Sequence, residues 1–195
     1  MHDVCILVTG GCGFIGSHFI DCVLKSTTNW KVWNIDALTY AGDKANLFQW
    51  AGDRRYRFLH GNIATFDLET LASIKPDWIV NFAAETHVDN SISAPAPFIT
   101  SNYVGTYRML ELSRLCGARM LQISTDEVYG DLEDGGYATE RYPLEPSSPY
   151  SATKAAGDML LLAYNRTYEV PYILTRSSNN SVSYTHLTLP TKRIV

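Results

Sequence analysis

The first stretch of the chain constrains its fold more than any other. Val4-Cys5-Ile6-Leu7-Val8 is a continuous apolar run, which suits a strand buried on both faces of a parallel sheet. Thr9-Gly10-Gly11-Cys12-Gly13-Phe14-Ile15-Gly16 follows without a break, and Ser17 to Leu24 continues at helical period. Glycines at 11, 13 and 16 match the dinucleotide-binding spacing, and those at 10, 13 and 16 also recur every third residue. A backbone without Cβ atoms turns tightly and approaches a pyrophosphate, whose charge then meets the positive end of the helix. Strand, glycine loop and helix in that order predict the opening unit of a doubly wound α/β fold.

The rest of the pattern extends that unit. Further strands are predicted at Lys31–Ile35, Tyr56–His60, Trp78–Phe82, Arg119–Ile123 and Tyr172–Thr175. Helices are predicted at Lys44–Trp50, Phe66–Ile74, Pro97–Leu115 and Ser151–Tyr168. The alternation implies a parallel sheet with right-handed crossovers, a Rossmann-type domain over residues 1–180. Asp36 closes the second strand about twenty residues beyond Gly16, where a carboxylate can take both ribose hydroxyls of an adenosine and repel a 2′-phosphate. It favours NAD over NADP, with a plain turn aspartate as the alternative. Asn62 suits an adenine edge or a turn equally. Ala83 and Ala84 are small enough at a strand end to let a cofactor pass. His87 reads as a structural hydrogen-bonder, and Asn102 as either solvated or a brace for nearby backbone.

The densest chemistry lies between Ser124 and Lys154. Ser124-Thr125-Asp126-Glu127-Val128-Tyr129-Gly130 follows an apolar strand, at the edge where open α/β sheets bind ligands. Pro149-Tyr150-Ser151-Ala152-Thr153-Lys154 opens a helix, and Tyr150 and Lys154 share one face of it. An ammonium beside a phenol favours the phenolate and is expected to lower the Tyr150 pKa. That would give a proton carrier able to work on an alcohol. Thr125, Asp126 and Glu127 are the polar groups placed to join it. Asp131, Glu133 and Asp134 fall in the loop Gly130 to Gly136 and read as solvated.

Composition narrows the class. A net charge of −4 and a pI near 5.7 argue against nucleic acid as the main partner. The four cysteines form no Cys-x-x-Cys pair and no zinc spacing, so no metal is expected and the thiols read as reduced, in a cytoplasmic protein. No signal peptide and no apolar run of membrane-spanning length is visible.

Together these residues resemble the extended short-chain dehydrogenase/reductase superfamily. Within it they are most similar to the dTDP-glucose 4,6-dehydratase family of deoxysugar and rhamnose-precursor synthesis. The glycine loop and Tyr-x-x-x-Lys mark only the superfamily. The narrower signals are Asp36 to Gly42, Ala83 to Asp89, Ser124 to Gly130 and Ser177-Ser178-Asn179-Asn180. The resemblance implies a redox-neutral dehydration of dTDP-glucose through transient hydride transfer to NAD. Tyr150, aided by Lys154 and Thr125, would deprotonate the sugar 4-hydroxyl. Glu127 would remove the C5 proton, and Asp126 would protonate the departing C6 hydroxyl. The resemblance also places Gly10, Gly13, Phe14, Ile15, Gly16, Asp36, Leu38, Thr39, Asn62, Ile63, Ala83, Ala84 and Ser101 at the NAD site, with Tyr150 and Lys154. Thr86, Thr125 and Asn179 would touch the sugar nucleotide. A homodimer built on the helices Pro97–Leu115 and Ser151–Tyr168 is implied as well. Asn62 and Asn90 depart from the family's usual Asp and Arg. The rival readings are a UDP-sugar dehydratase, a 4-epimerase, or an inactive NAD-binding fragment.

Beyond Asn180 the resemblance stops. Ser181 to Val195 has no period tied to the preceding fold, where the family continues with a substrate-binding region. Val182 to Thr191 correspond to an in-frame translation of a transposase sequencing adapter. The chain is therefore expected to be a truncated domain with a non-native, disordered tail, weak in NAD binding and turnover. Resequencing genomic DNA across the Asn180 codon should return a different downstream frame; recovery of the same fifteen codons would refute this.

Overall fold

The computed structural model describes residues 3–132 and 136–179, in which six strands form one parallel sheet of order β3-β2-β1-β4-β5-β6. The strands are β1 (Val4–Thr9), β2 (Trp30–Asp36), β3 (Tyr56–His60), β4 (Trp78–Asn81), β5 (Arg119–Thr125) and β6 (Tyr172–Ser177). The α-helices are α1 (Phe14–Ser26), α2 (Leu68–Ser73), α3 (Val88–Ser93), α4 (Ala96–Phe98), α5 (Gly105–Cys116) and α6 (Pro149–Tyr168). A π-helical turn, Ile99–Val104, joins α4 to α5, and 3₁₀ turns form at Lys44–Trp50 and Asp126–Tyr129. The order runs outward in both directions from β1, so the crevice of a doubly wound sheet opens where β1 and β4 diverge.

The apolar run of β1 explains its central place. Ile6 and Val8 pack with Ile20, Leu24, Val32 and Val80 on one side of the sheet. Leu7, pointing the other way, packs with Ile79, Met109, Leu112, Met120 and Leu161. A strand covered on both faces tolerates polar side chains only when they are paired. Asn81 at the end of β4 shows how this is met. Its Oδ1 accepts from Thr9 Oγ1, and its Nδ2 donates to Gln122 Oε1 at 2.8 Å and to Thr106 Oγ1 at 3.3 Å. The interior thus carries a hydrogen-bonded row across β1, β4, β5 and α5.

The doubly wound fold is as the sequence implies, with several local differences, among them the unpredicted helix α3 and a β6 that runs to Ser177 rather than Thr175. β5 runs two residues beyond Ile123, because Ser124 and Thr125 pair with Arg176 and Ser177 of β6. The single helix expected over Pro97–Leu115 contains the π turn, whose wide coil brings Asn102 inward to bond the backbone of Glu85. The Lys44–Trp50 segment is 3₁₀ and kinked at Leu47. Glu133, Asp134 and the tail from Asn180 to Val195 lie outside the described residues.

Replacing Asn81 by Ala leaves the buried Thr9 hydroxyl without its acceptor and Gln122 Oε1 without its donor, while Thr106 keeps its bond to the Asn102 carbonyl. It should lower unfolding free energy by at least ~2 kcal/mol, seen as a lower denaturant midpoint at unchanged slope.

Candidate functional site

All six strands end on one edge of the sheet, and the loops leaving them carry the residues singled out from sequence. Gly10 leaves β1 with φ of 66°, and a Cβ there would lie 2.6 Å from the Ala83 nitrogen. A Cβ on Gly16 would lie 2.5 Å from the Gly10 carbonyl oxygen. Both glycines therefore let the loop, the end of β4 and α1 close on one another. Gly13 differs: it is the N-cap of α1, makes no side-chain cap bond, and a Cβ there would meet only the Gly10 oxygen at 3.4 Å. The space over Gly13 is a cradle. The amides of Phe14, Ile15 and Gly16 in the first helical turn have no intrahelical acceptor, which suits a phosphate group. Phe14 and Ile15 stay exposed beside it.

Asp36 is buried at the end of β2. Its Oδ2 accepts from the Cys12 amide and its Oδ1 from the Leu38 amide, each at 2.8 Å. The carboxylate braces the glycine loop, and each oxygen keeps lone-pair capacity for a ribose hydroxyl. Asn34, fully buried one turn of strand earlier, holds the same loop by accepting from the Gly11 amide at 3.1 Å. Leu38, in the left-handed region at φ 51°, and exposed Thr39 continue from Asp36 around the rim. Asn62 accepts from the Ala64 amide at 2.9 Å, which is the turn role. The Ile63 side chain is buried in the core against Gly105, which leaves its main chain to face the rim. Ala83 and Ala84 follow β4 at the switch point, and Ser101 sits partly buried on the π turn. Thr86 is exposed and within 3.3 Å of the Tyr40 hydroxyl; Asn179 is exposed beyond β6. The cradle, the open phosphate donors and Asp36 fit a dinucleotide.

The reactive groups gather next to this crevice. Thr125 ends β5, and its Oγ1 donates to Asp126 Oδ1 and accepts from the Glu127 amide, both at 3.3 Å. Tyr150 stands in the first turn of α6, which a Ser148–Ser151 capping box fixes and the Ser91 hydroxyl steadies by accepting the Tyr150 amide at 3.1 Å. The Thr125 hydroxyl lies near enough to the phenol to favour its ionised form, and the charges of Glu127 and Asp126 act against it. Burial pushes the phenol up to about 12, and the Glu127 and Asp126 charges add to the rise. Burial also raises Glu127, with Asp126 adding to it.

Here an expectation fails. Lys154 does not lower the Tyr150 pKa: burial and the two carboxylates raise it, and the amine is not among the groups that act on the phenol. Its buried ammonium instead donates to the Ile123 carbonyl at 2.6 Å, and burial lowers it to about 8. Thr125, Asp126, Glu127 and Tyr150 thus converge, while Lys154 braces β5 from below. Sequence reasoning passed over a buried group beside them: Asp158, one helical turn past Lys154, ion-paired to Arg176 at 2.8 Å. The i, i+4, i+8 series of Tyr150, Lys154 and Asp158 was the available signal. Among the described residues no group of His, Cys, Asp and Glu could hold a metal, and no helix is long and apolar enough to cross a membrane.

Comparison with known proteins agrees with this geometry. Residues 7–195 match the family model described as GDP-mannose 4,6 dehydratase. The chain is 46% identical over 176 residues to the low-salt glycan biosynthesis protein Agl12 of Haloferax volcanii, covering 90% of this chain and 56% of that protein. It is 45% identical over 184 residues to dTDP-glucose 4,6-dehydratase of Mycolicibacterium smegmatis, covering 93% and 55%. The structure of the dTDP-glucose 4,6-dehydratase DesIV from Streptomyces venezuelae, with NAD bound, matches with a TM-score of 0.87 at 44% identity, over 94% of this chain and 58% of that one. UDP-glucuronic acid 4-epimerase from Bacillus cereus, with UDP-glucuronic acid and NAD, matches at 0.82 and 30%, over 89% and 56%. The chain spans a little over half the length of these relatives.

The depressed Lys154 pKa has a stability signature. The folded chain holds this proton less tightly than the unfolded chain, whose lysine titrates near 10.5. Stability from this group is therefore present above 10.5 and is lost as pH falls through about 8. Chemical denaturation of wild type and Lys154→Met should show the variant gaining relative to wild type between about pH 10 and about pH 7. Parallel profiles would contradict the burial of a charged amine here.

Proposed function

The chain belongs to the GDP-mannose 4,6 dehydratase family, and on that premise we propose that it catalyses dehydration of dTDP-glucose to dTDP-4-keto-6-deoxyglucose with NAD, a hydro-lyase reaction. The observation that carries the reading is the convergence of two carboxylates, a threonine hydroxyl and a phenol at the end of β5. Removing water across two carbons requires a base for one and an acid for the other. A 4-epimerase needs no such pair, and the epimerase structure is also the more distant match in identity.

In this reading Gly10, Gly13 and Gly16 with the amides of Phe14 and Ile15 hold the pyrophosphate, and Asp36 takes the adenosine ribose. Leu38, Thr39, Asn62, the Ile63 main chain, Ala83, Ala84 and Ser101 complete the NAD site. NAD⁺, when bound, would accept the hydride from C4 and return it to C6, so that the dehydration is redox-neutral, and its positive charge would favour an ionised phenol. Thr125 would bridge the Tyr150 phenol and the sugar 4-hydroxyl, and Tyr150 would receive that proton once ionised, which burial and the two carboxylates oppose and bound NAD⁺ must offset. Lys154 holds the end of β5 in place and carries positive charge beneath. Once C4 is a ketone the C5 proton is acidic; Glu127 would remove it, Asp126 would deliver a proton to the C6 oxygen as it leaves as water, and Glu127 would give its proton back to C5 as the hydride reaches C6. Thr86 and Asn179 face the sugar nucleotide.

The same reading assigns the cytoplasm, consistent with four free thiols. It also assigns a homodimer through the apolar groove of Ile99, Tyr103, Ala152 and Ala156, where α6 meets the π turn. Residues 1–180 are assigned to the NAD-binding domain, and residues 181–195 are not counted as part of it. A deoxysugar pathway such as rhamnose synthesis would use the product.

Incubating the chain with NAD and dTDP-glucose, UDP-glucose or GDP-mannose, and following 4-keto-6-deoxy product, tests the assignment. dTDP-glucose should be the preferred substrate, with Tyr150→Phe and Glu127→Gln each losing about 10²–10⁴-fold. Glu127 must be ionised to act, so the rate should fall as pH drops through its raised pKa, giving an acid limb above 4.5. Epimerised product, or NAD binding with no turnover in any chain carrying all four groups, would overturn the reading.

A further inference from the structure

We infer that Arg176 is a positioning residue: it hangs the turn that carries Asp126 and Glu127 from the helix that carries Tyr150 and Lys154. The inference rests on the dehydratase reading for its catalytic meaning, but its geometry stands apart from it. Arg176 lies near the end of β6. Its Nε donates to Asp158 Oδ2 at 2.8 Å, and Asp158 is completely buried in α6. Its Nη1 donates to the Tyr129 hydroxyl at 2.9 Å and to the Glu140 carbonyl at 3.3 Å. The guanidinium also lies over the Tyr129 ring, 5.1 Å from its centre. Tyr129 is the last residue of the Asp126–Tyr129 turn. One side chain thus links three segments, and two of them present reacting groups.

The energetics favour a positioning role over simple stabilisation. Burying an ion pair removes two charges from water, and the attraction between them recovers that cost only with good geometry. This pair is imperfectly satisfied. Asp158 Oδ1 and Ser124 Oγ are both shut off from solvent without a well-formed bond, although the serine is near enough to pull the carboxyl down. Burial still holds Asp158 above the usual carboxylate range despite Arg176. An apolar pair would fill the same volume at lower cost. The guanidinium offers what an apolar pair lacks, a planar fork able to bond a carboxylate and a phenol in fixed directions. Asp158 lies two helical turns after Tyr150, so the distance from Glu127 to the phenol is set through Tyr129, Arg176 and Asp158.

The test needs no turnover. Glu127 is held above its ordinary pKa because the turn is packed into the site beside Asp126. Carboxyl ¹³C NMR of the 195-residue chain, with Glu127→Gln assigning the resonance, reads that titration directly. In Tyr129→Phe and in Arg176→Lys the Glu127 midpoint should move down, toward 4.5, as the turn loosens into solvent. In any active preparation dehydration should fall at least tenfold more than hydride transfer to NAD. Tyr129→Phe removes only the hydroxyl, so it remains informative where Arg176→Lys fails to fold. A lowered melting temperature with an unmoved Glu127 midpoint in both variants would overturn the inference. A shifted midpoint, with no dehydratase activity in any unsubstituted chain carrying all four reacting groups, would instead overturn the functional reading alone.

Discussion

Everything at the crevice depends on a relay of buried amides and hydroxyls beneath it. It starts at Thr9 in β1, passes through Asn81 to Thr106, and from Thr106 to the Asn102 carbonyl. Asn102 then donates to Thr153, whose hydroxyl donates to the Tyr150 carbonyl. The same relay touches the crevice from below, because Thr9 Oγ1 accepts the Ala83 amide and Asn102 brackets the Glu85 backbone. The glycine loop and the reactive helix are thereby parts of one hydrogen-bonded body. In a low-dielectric interior each such bond is costly to leave unmade, which makes the arrangement specific as well as stable.

Much of this architecture was legible in the sequence. The apolar run of Val4 to Val8, the glycines after it and Asp36 at the end of β2 each act through local backbone chemistry, so their spacing sufficed. β3 matched its predicted bounds because Tyr56 to His60 is a short run rich in aromatic and apolar residues closed by Gly61. The Asp126-Glu127 pair could be placed at a strand end for the same reason. What the sequence did not reveal depends on contacts far apart along the chain. The π turn answers to Asn102 meeting Glu85, and no window of residues around it announces that. Ile63 looks like a rim residue until α5 is packed over it. Arg176 and Asp158 read as an ordinary strand residue and an ordinary helix residue, and only the sheet brings them together.

The electrostatics carry a more general lesson. Tyr-x-x-x-Lys suggests a phenol eased toward its anion by a neighbouring cation. Here the amine is turned under β5 and is itself lowered by burial, while two carboxylates oppose ionisation of the phenol. A single motif therefore does not fix a proton affinity; the sum of burial and every nearby charge does. The same carboxylates that make the phenol reluctant are those an elimination would use.

One feature of the turn beyond Glu127 bears on how such chains diverge. The Glu145 amide bonds the Val128 carbonyl at 3.1 Å, and Gly130 packs so closely on the Glu145 oxygen that no side chain fits there. The excursion that departs at Gly130 and returns at Glu145 is pinched shut at its neck. The returning limb stays tied to that root, since the Glu140 carbonyl accepts from Arg176 and the Tyr142 ring meets Tyr129 edge-on, so a change of length or charge in that flap would be felt at the reacting groups.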